Sequence, residues 1–466
     1  MSTHATQIAK HPKITVIGTG YLGATHAVCM AILGFDVLGV DVDQKKIDAL
    51  AAGNVPFFEP GLPEKLREAL DSGRLNFTTD LERAAEFGDV HFICVGTPQA
   101  PDSHAADMTY VDSAFSELAR RITRKALLVG KSTVPIGTAA RVTELVQRIS
   151  PLGTELEVAW NPEFLREGFA VQDTLHPDRL VFGVASLWAE HQLSAAFRPI
   201  LDQGTPVVMA DLATSELVKV AANSFLATKI SFINAMAEVC EVTGADVNLL
   251  AQALSYDTRI GGRFLKPGLG FGGGCLPKDI RAFTHRAGEL GVGQAVAFLK
   301  EVDDINNRRR VRTVDLIREM AGGTLAGIRV ACLGAAFKPN SDDVRDAPAL
   351  DVARMLYVEG AIVTVYDPEA NDNAHRLYPD LNYAESMIAA VVGADVVALL
   401  TEWQQFREAD PDDLSRLVSH KRIVDGRHAL DADRYRAKGW QYRALGRPAE
   451  SATVALAFDA RDEILA

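Results

Sequence analysis

Residues 13–23 read Lys-Ile-Thr-Val-Ile-Gly-Thr-Gly-Tyr-Leu-Gly, and this stretch decides the fold. A β-branched run at 13–18 ends on a glycine, and the small and apolar residues of 21–34 then suit a helix. A second strand, Asp-Val-Leu-Gly-Val-Asp-Val at 36–42, completes a βαβ unit of about thirty residues. Gly18, Gly20 and Gly23 form a GxGxxG directly after the first strand, at the mouth of the helix. The first glycine permits the tight turn, the second lets the backbone approach a pyrophosphate, and the third allows close helix packing. The helix N-terminus favours the phosphate charge. Asp41, 18 residues past Gly23 at the end of the second strand, is placed to accept hydrogen bonds from ribose hydroxyls and to repel a 2′-phosphate. That pattern favours NAD over NADP, while Lys46 in the following turn can touch either a ribose or a phosphate.

Outward from this unit, buried-strand candidates recur at 89–95, 126–130, 156–160, 179–184 and 206–210 between helical patterns. Strands alternating with helices predict a parallel doubly wound sheet. From Asp211 to Thr243 runs one helical pattern without an internal Gly or Pro. A helical region over 246–320 follows, broken by a glycine-dense loop at 261–274, and strand candidates resume at 328–334, 361–367, 395–401 and 422–426. The expected fold is α/β, with two Rossmann-like doubly wound domains joined by a central helical region and a long connecting helix. The expected division is a flexible tail over 1–11, a dinucleotide-binding domain over 12–210, a helical region over 211–320 and a second α/β domain over 321–466.

The 466 residues supply material for two or three domains, and the 48% apolar and 23% charged fractions are those of ordinary globular chains. Lys and Arg number 48 against 61 Asp and Glu, a net charge of −13, which disfavours non-specific binding of nucleic acid or an anionic membrane. A local basic pocket for an anion remains compatible with it. The five cysteines form no CxxC and no Cys/His ligand cluster, so neither a metal site nor a disulfide framework is expected. The polar N-terminus lacks the apolar core of a signal peptide, and no run reaches the roughly 18 apolar residues needed to span a bilayer. A soluble cytoplasmic protein is the expectation.

Residues 266–279, Lys-Pro-Gly-Leu-Gly-Phe-Gly-Gly-Gly-Cys-Leu-Pro-Lys-Asp, place five glycines in seven positions. Such a segment is costly to order, so its backbone is expected to approach a ligand closely, and an anion suits its N–H groups. Cys275 follows where the chain enters a helix, with Lys278 and Asp279 just beyond. A thiol at a helix N-terminus beside a cation is expected to have a lowered pKa and to serve as a nucleophile. Cys29, Cys94, Cys240 and Cys332 read instead as small buried hydrophobes. Lys219 and Asn223 share a helix face, and by spacing alone that pair is as easily a solvated lysine and an incidental asparagine. Glu163 and Glu167, in Asn-Pro-Glu-Phe-Leu-Arg-Glu-Gly at 161–168, follow a strand where doubly wound folds bind ligands; a plain surface loop is the alternative.

Taken together, GTGYLG with Asp41, VGTP (95–98), KSTVP (131–135), NPEFLREG (161–168), the Lys219/Asn223 pair, FLKPGLGFGGGCLPKD (264–279) and FKPNSDDVRDAP (337–348) occur in one order. In this the chain resembles the nucleotide-sugar 6-dehydrogenase family over nearly its whole length after the tail. The resemblance implies an NAD-dependent oxidoreductase that oxidises the C6 alcohol of a sugar nucleotide to a carboxylate in two steps, with a cysteine thiohemiacetal and thioester between them. UDP-glucose is the favoured substrate; dTDP-glucose, GDP-mannose and UDP-N-acetylated sugars are alternatives, as is a simpler single two-electron hydroxyacid-type dehydrogenase. By the same resemblance Cys275 is the nucleophile, Lys219 with Asn223 stabilises the oxyanion, and Glu163, Asp279 and Thr133 complete the catalytic set. NAD is implied at Gly18, Gly20, Gly23, Asp41, Lys46, Thr97, Thr133, Glu167 and Arg345. The sugar nucleotide is implied at Glu163, Leu165, Lys219, Asn223, Arg259, Phe264, Lys266, Gly272, Lys338 and Arg427. The family pattern also implies a homodimer built on the helical region, with Arg259 reaching into the neighbouring subunit's site, and a UDP-sugar-binding C-terminal domain whose turn, Gly334-Ala335-Ala336-Phe337-Lys338, lacks a GxGxxG. Two departures from the family pattern, Arg166 between the glutamates and Gly274 before the cysteine, bear on substrate choice.

Overall fold

The computed structural model describes residues 11–447, so the expected tail, His11 excepted, lies outside the described residues. The chain forms two compact units. One runs to Phe225 and includes Gly274–Lys300 and Asn340–Asp342; the other comprises Leu226–Gly273, Glu301–Pro339 and the chain from Asp343 onward.

The first unit is built on an eight-stranded sheet: β1 (Ile14–Ile17), β2 (Val37–Val40), β3 (Leu75–Thr78), β4 (Val90–Ile93), β5 (Leu127–Gly130), β6 (Glu157–Trp160), β7 (Leu180–Gly183) and β8 (Val207–Ala210), in the order 3-2-1-4-5-6-7-8. Neighbours are parallel except at the single pair Trp160–Gly183, where β6 meets β7 antiparallel. Strands β1, β2, β4 and β5 are buried along their whole length, which is why they read as unbroken apolar runs. Helices cover both faces. Phe92, Val16 and Leu127 pack into one core with Met30 and Phe197, and Ile93, Leu128 and Trp160 into the other with Phe115 and Val142.

The second unit carries a six-stranded parallel sheet: β9 (Arg329–Leu333), β10 (Ile362–Tyr366), β11 (Asn382–Tyr383), β12 (Val396–Leu399), β13 (Arg422–Asp425) and β14 (Gln441–Ala444), in the order 11-10-9-12-13-14. This is the order of the first six strands of the other sheet, so both α/β parts follow the 3-2-1-4-5-6 winding. Strands 75–78, 382–383 and 441–444 escaped the sequence pattern because each lies at an edge, with polar residues facing water.

The long helix runs over Leu212–Thr243. Asp211 starts it by accepting the N–H of Thr214 at 2.7 Å, and Gly244, at φ 78°, ends it. The glycine-dense loop then leads into a helix over Leu276–Glu289, whose N-cap residue is Cys275.

Candidate active site

In the first unit the GxGxxG turn has the geometry a dinucleotide requires. Gly18 sits at φ 88°, and a Cβ on Gly23 would lie 1.8 Å from the Gly18 oxygen, so the helix over Tyr21–Ile32 packs directly on the turn. A Cβ on Gly20 would meet nothing within 4 Å: the backbone is open where a pyrophosphate approaches, and the helix has no side-chain cap competing for its first N–H groups. The Asp41 carboxylate accepts the Thr19 N–H at 2.8 Å and the Lys46 ammonium at 2.9 Å. Burial opposes its charge, but Lys46 and the N–H groups of Asp43 and Thr19 outweigh that and hold its pKa below the usual carboxylate range. Lys46 is thus turned onto Asp41.

On the long helix Lys219 and Asn223 face inward, 4% and 6% exposed. The Lys219 ammonium pairs with Glu163 at 2.9 Å, and the Asn223 amide donates to Asp279 at 2.6 Å. Burial works against the ammonium, yet Glu163, Cys275 and Asp279 together raise its pKa above that of an ordinary lysine. Glu163 also accepts the Leu165 N–H at 2.5 Å, and Lys219 and Lys131 keep it ionised despite its burial. Thr133 offers its carbonyl to the Thr97 hydroxyl at 2.9 Å, and Lys278 donates to that hydroxyl at 3.2 Å. Thr133, Lys278 and Asp279 line one cleft with Val220 and Phe283.

Cys275 lies within electrostatic reach of Lys219, Glu163, Asp279 and Glu167, but its thiol is not activated as the sequence suggested. The residue is open to solvent on one side, while protein atoms crowd the sulfur. That loss of water, reinforced by the carboxylates of Asp279 and Glu163, outweighs Lys219 and pushes the pKa up to about 12. The neighbouring cation does not help, because Lys278 is turned to Asp279 at 3.0 Å. The other four cysteines are buried, as expected.

Sequence reasoning passed over three buried groups that hold this site. Glu59, 2% exposed, accepts the Tyr21 hydroxyl and the N–H groups of Gly168 and Ala170, both at 2.7 Å, and so ties the glycine turn to the end of the Glu163–Glu167 loop. Glu216 shares a face with Lys219 and Asn223, three and seven residues before them. It accepts the N–H groups of Gly137 and Ala139 at 2.7 and 2.6 Å, anchoring the loop that carries Thr133. Burial pushes its pKa up to about 7 against those donors. Lys131, inside KSTVP, is the third.

The second unit holds Arg259, Phe264, Lys266, Gly272, Lys338, Arg345 and Arg427. Phe264, Lys266, Gly268, Gly270, Glu402 and Arg427 line a pocket there. Phe264 is held at φ 63°, a strained conformation costing about 1–3 kcal/mol. A Cβ on Gly272 would lie 2.2 Å from the Asp346 oxygen, so only glycine fits. Arg427 donates to the carbonyls of Leu400, Gly270 and Phe337 at 2.7, 2.9 and 3.1 Å, stitching three loops together. Arg345 is chelated by Asp343, and Arg259, its side chain 87% exposed, by Asp257. Asp367 occupies in this sheet the place of Asp41 in the other, at the end of the strand beside the turn. Its buried carboxylate accepts the N–H groups of Ala335 and Ala336 and the Trp403 indole N–H at 2.8, 3.0 and 3.0 Å. With those donors around it and 1% of its surface exposed, Asp367 is closed to a ribose.

Models of the UDP-glucose/GDP-mannose dehydrogenase family match the chain in three parts: the NAD binding domain at 12–201, the central domain at 213–308 and the UDP binding domain at 331–432. The chain belongs to the UDP-glucose/GDP-mannose dehydrogenase family. NAD is the cofactor of its first domain. The chain is 41% identical to the UDP-glucose 6-dehydrogenase of Rhizobium meliloti, over 94% of its own length and 100% of the relative's. It is 40% identical to a UDP-glucose 6-dehydrogenase of Bacillus subtilis over 94% and 98%. Among solved structures, a UDP-glucose dehydrogenase from Pyrobaculum islandicum superimposes with a TM-score of 0.86 at 36% identity, covering 96% of this chain and 100% of that one. The UDP-D-ManNAc dehydrogenase of Pyrococcus horikoshii gives 0.82 at 26% identity, covering 93% and 99%.

The raised thiol pKa sets a pH test in the unliganded enzyme. Only the thiolate alkylates, so the rate of iodoacetamide labelling at Cys275 should climb about tenfold per pH unit from pH 7 to 10. A rate already level by pH 8 is incompatible with a neutral thiol.

Proposed function

We propose that the protein oxidises UDP-glucose to UDP-glucuronate, with Cys275 carrying the sugar carbon between the two oxidations. The observation that carries this reading is the gathering, within one compact unit, of a cysteine, a buried lysine–glutamate pair and a buried asparagine–aspartate pair. The near-full-length identity to UDP-glucose 6-dehydrogenases supports the choice of substrate.

NAD, when bound, accepts one hydride in each of the two oxidations. In this reading Lys219 stabilises the negative charge that develops on the C6 oxygen, with Asn223 assisting. Loss of hydride and proton turns the C6 alcohol into an aldehyde. The Cys275 sulfur adds to that carbon, and the thiol proton ends on the former carbonyl oxygen, giving a thiohemiacetal. This adduct presents a C–H that can again leave as hydride while its hydroxyl gives up a proton to a site carboxylate, which makes the thioester. Water then attacks the acyl carbon, the C–S bond breaks, and carboxylate and thiol are released. Glu163 and Asp279 orient that water and take up its proton. Because the resting thiol is neutral, its proton has to move within the site as sulfur attacks.

The NAD contacts are assigned to Gly18, Gly20, Gly23, Asp41, Lys46, Thr97, Thr133, Glu167 and Arg345. The sugar end is assigned to Glu163, Leu165, Lys219 and Asn223, and the UDP end to Phe264, Lys266, Gly272, Lys338 and Arg427, where lysine and arginine suit a diphosphate. The corresponding functional domains are 12–210, 211–320 and 321–466. The five free thiols suit a reducing cytoplasm, and among the described residues no helix is long and apolar enough to cross a membrane.

Purified enzyme should form two NADH per UDP-glucuronate, whereas one NADH per sugar or an aldehyde product contradicts the scheme. Cys275→Ala should abolish acid formation while NAD binding and the folded state persist. The same family reading makes the protein a homodimer through the helical region, with Arg259 entering the partner's site. Phe232, Val239, Val242, Leu249 and Tyr256 leave 48–85% of their surface exposed, an apolar stripe that a second copy would cover. Analytical ultracentrifugation should return a dimer, and Arg259→Ala should weaken UDP-glucose binding; a monomer with unchanged activity removes the dimer from the account.

A further inference from the structure

The ends of β5 and β6 lie side by side, with Gly130 paired to Trp160, and the next residues of both strands leave the sheet together. The Asn161 N–H donates to the Gly130 carbonyl at 2.8 Å. The Lys131 ammonium, in turn, donates to Asn161 Oδ1 at 2.9 Å, and the Asn161 amide donates to the Val181 carbonyl at 3.0 Å. Both residues are buried, Lys131 at 6% exposure and Asn161 at 0%. The ammonium lies 5.6 and 5.9 Å from the ring centroids of Phe197 and Phe92, within cation–π range, in surroundings shared with the buried, uncharged imidazole of His26. A lysine charge so far from water carries a penalty of several kcal/mol unless something compensates. Burial pushes the Lys131 pKa below that of an ordinary lysine, and Glu163, two residues past Asn161, is the carboxylate that opposes the loss of its proton.

Glu163 therefore faces two cations. Lys219, from the long helix, touches it at 2.9 Å; Lys131, from the end of β5 and held on Asn161, adds its field to the same carboxylate. The other charged or titratable groups around this cluster are Asp279 with its partner Lys278, Cys275 at the entrance of that helix, Glu167 within reach of Cys275, and Cys94 past the end of β4. In the Lys219–Glu163 pair alone the charges cancel, and an oxyanion beside it would meet little net field. With Lys131 protonated the trio carries one net positive charge, while the nearby Asp279 carboxylate is balanced by Lys278 at 3.0 Å.

We propose that Lys131 is a positioning residue: anchored on Asn161, it acts through Glu163 and supplies the positive charge that lets the Lys219–Glu163 pair favour an anionic oxygen at C6. This rests on the reaction proposed above. Lys131 touches neither sugar nor cofactor in this role. Its effect falls on the rate of oxidation and on the protonation of Glu163, and substrate affinity is left nearly unchanged.

Lys131→Gln keeps an N–H donor for Asn161 and removes the charge, which separates anchoring from electrostatics. Expected are a fall in kcat of about tenfold or more, a KM for UDP-glucose within about twofold of wild type, and an acid limb of the kcat profile displaced upward by about one pH unit. The direction follows because losing a cation makes Glu163 harder to ionise. Asn161→Asp, which sets a carboxylate against the ammonium, should move kcat and the acid limb the same way. Wild-type kcat and pH profile in Lys131→Gln would overturn the proposal. So would the loss of NAD binding and thermal stability in both variants, since that would make the role purely structural. Wild-type turnover of UDP-glucose, run alongside, tests the reaction itself, and the variant-to-wild-type ratios test Lys131.

Discussion

The ion pair between Lys219 and Glu163, 2.9 Å apart with only 6% and 13% of the two side chains exposed, is the interaction on which the rest of the site depends. Removing either partner would leave a lone buried charge, which commonly costs about 3–5 kcal/mol, so the two elements that carry them are bound to each other's placement. One is the long helix and the other the loop that leaves β6. Around the pair the remaining groups fall into order: Asn223, one turn along the helix, holds Asp279, and Asp279 lies one turn into the helix that Cys275 caps. A mobile surface lysine could stabilise an oxyanion only after being ordered, whereas this one is already fixed and dehydrated.

Loss of water around the sulfur is the first reason the thiol rests in its neutral form, and the carboxylates beside it are the second. A site rich in carboxylates suits proton transfer and water activation, but it raises the pKa of a nearby sulfur. Helix N-terminus and neighbouring lysine, the two sequence features that argue for a thiolate, are outweighed by dehydration and by Asp279 and Glu163. In the proposed reaction, nucleophilicity then arises as the electrophilic aldehyde carbon forms, and a resting cysteine of this kind is protected from adventitious oxidation.

Much of the architecture was legible because it follows from local pattern. The run 13–23 with Asp41 specifies a βαβ unit, the Gly- and Pro-free stretch after Asp211 specifies the long helix, and fully buried strands show as continuous apolar runs. Edge strands such as 75–78 carry no such signal. The identities of Cys275, Lys219, Asn223 and Glu163 were legible through their motifs, yet spacing alone left Lys219 and Asn223 ambiguous. What separates them from solvated side chains is a pairing across 56 residues in both cases, Lys219 with Glu163 and Asn223 with Asp279. Glu59, Glu216 and Lys131 were opaque for a related reason: a single acid or lysine in a sequence shows nothing of the backbone amides or side chains that fold places against it. Likewise the two sheets share one winding, but only their contacts separate Asp41, at an open glycine turn, from Asp367, sealed under Trp403.

The central claim is that the sugar carbon is carried on Cys275. Acid quenching of the enzyme during turnover of UDP-glucose and NAD, followed by peptide mass spectrometry, tests it most directly. The account predicts a UDP-glucuronyl adduct on the peptide containing Cys275, formed within the first turnover and absent without NAD. A full burst of NADH with that peptide unmodified throughout would contradict it.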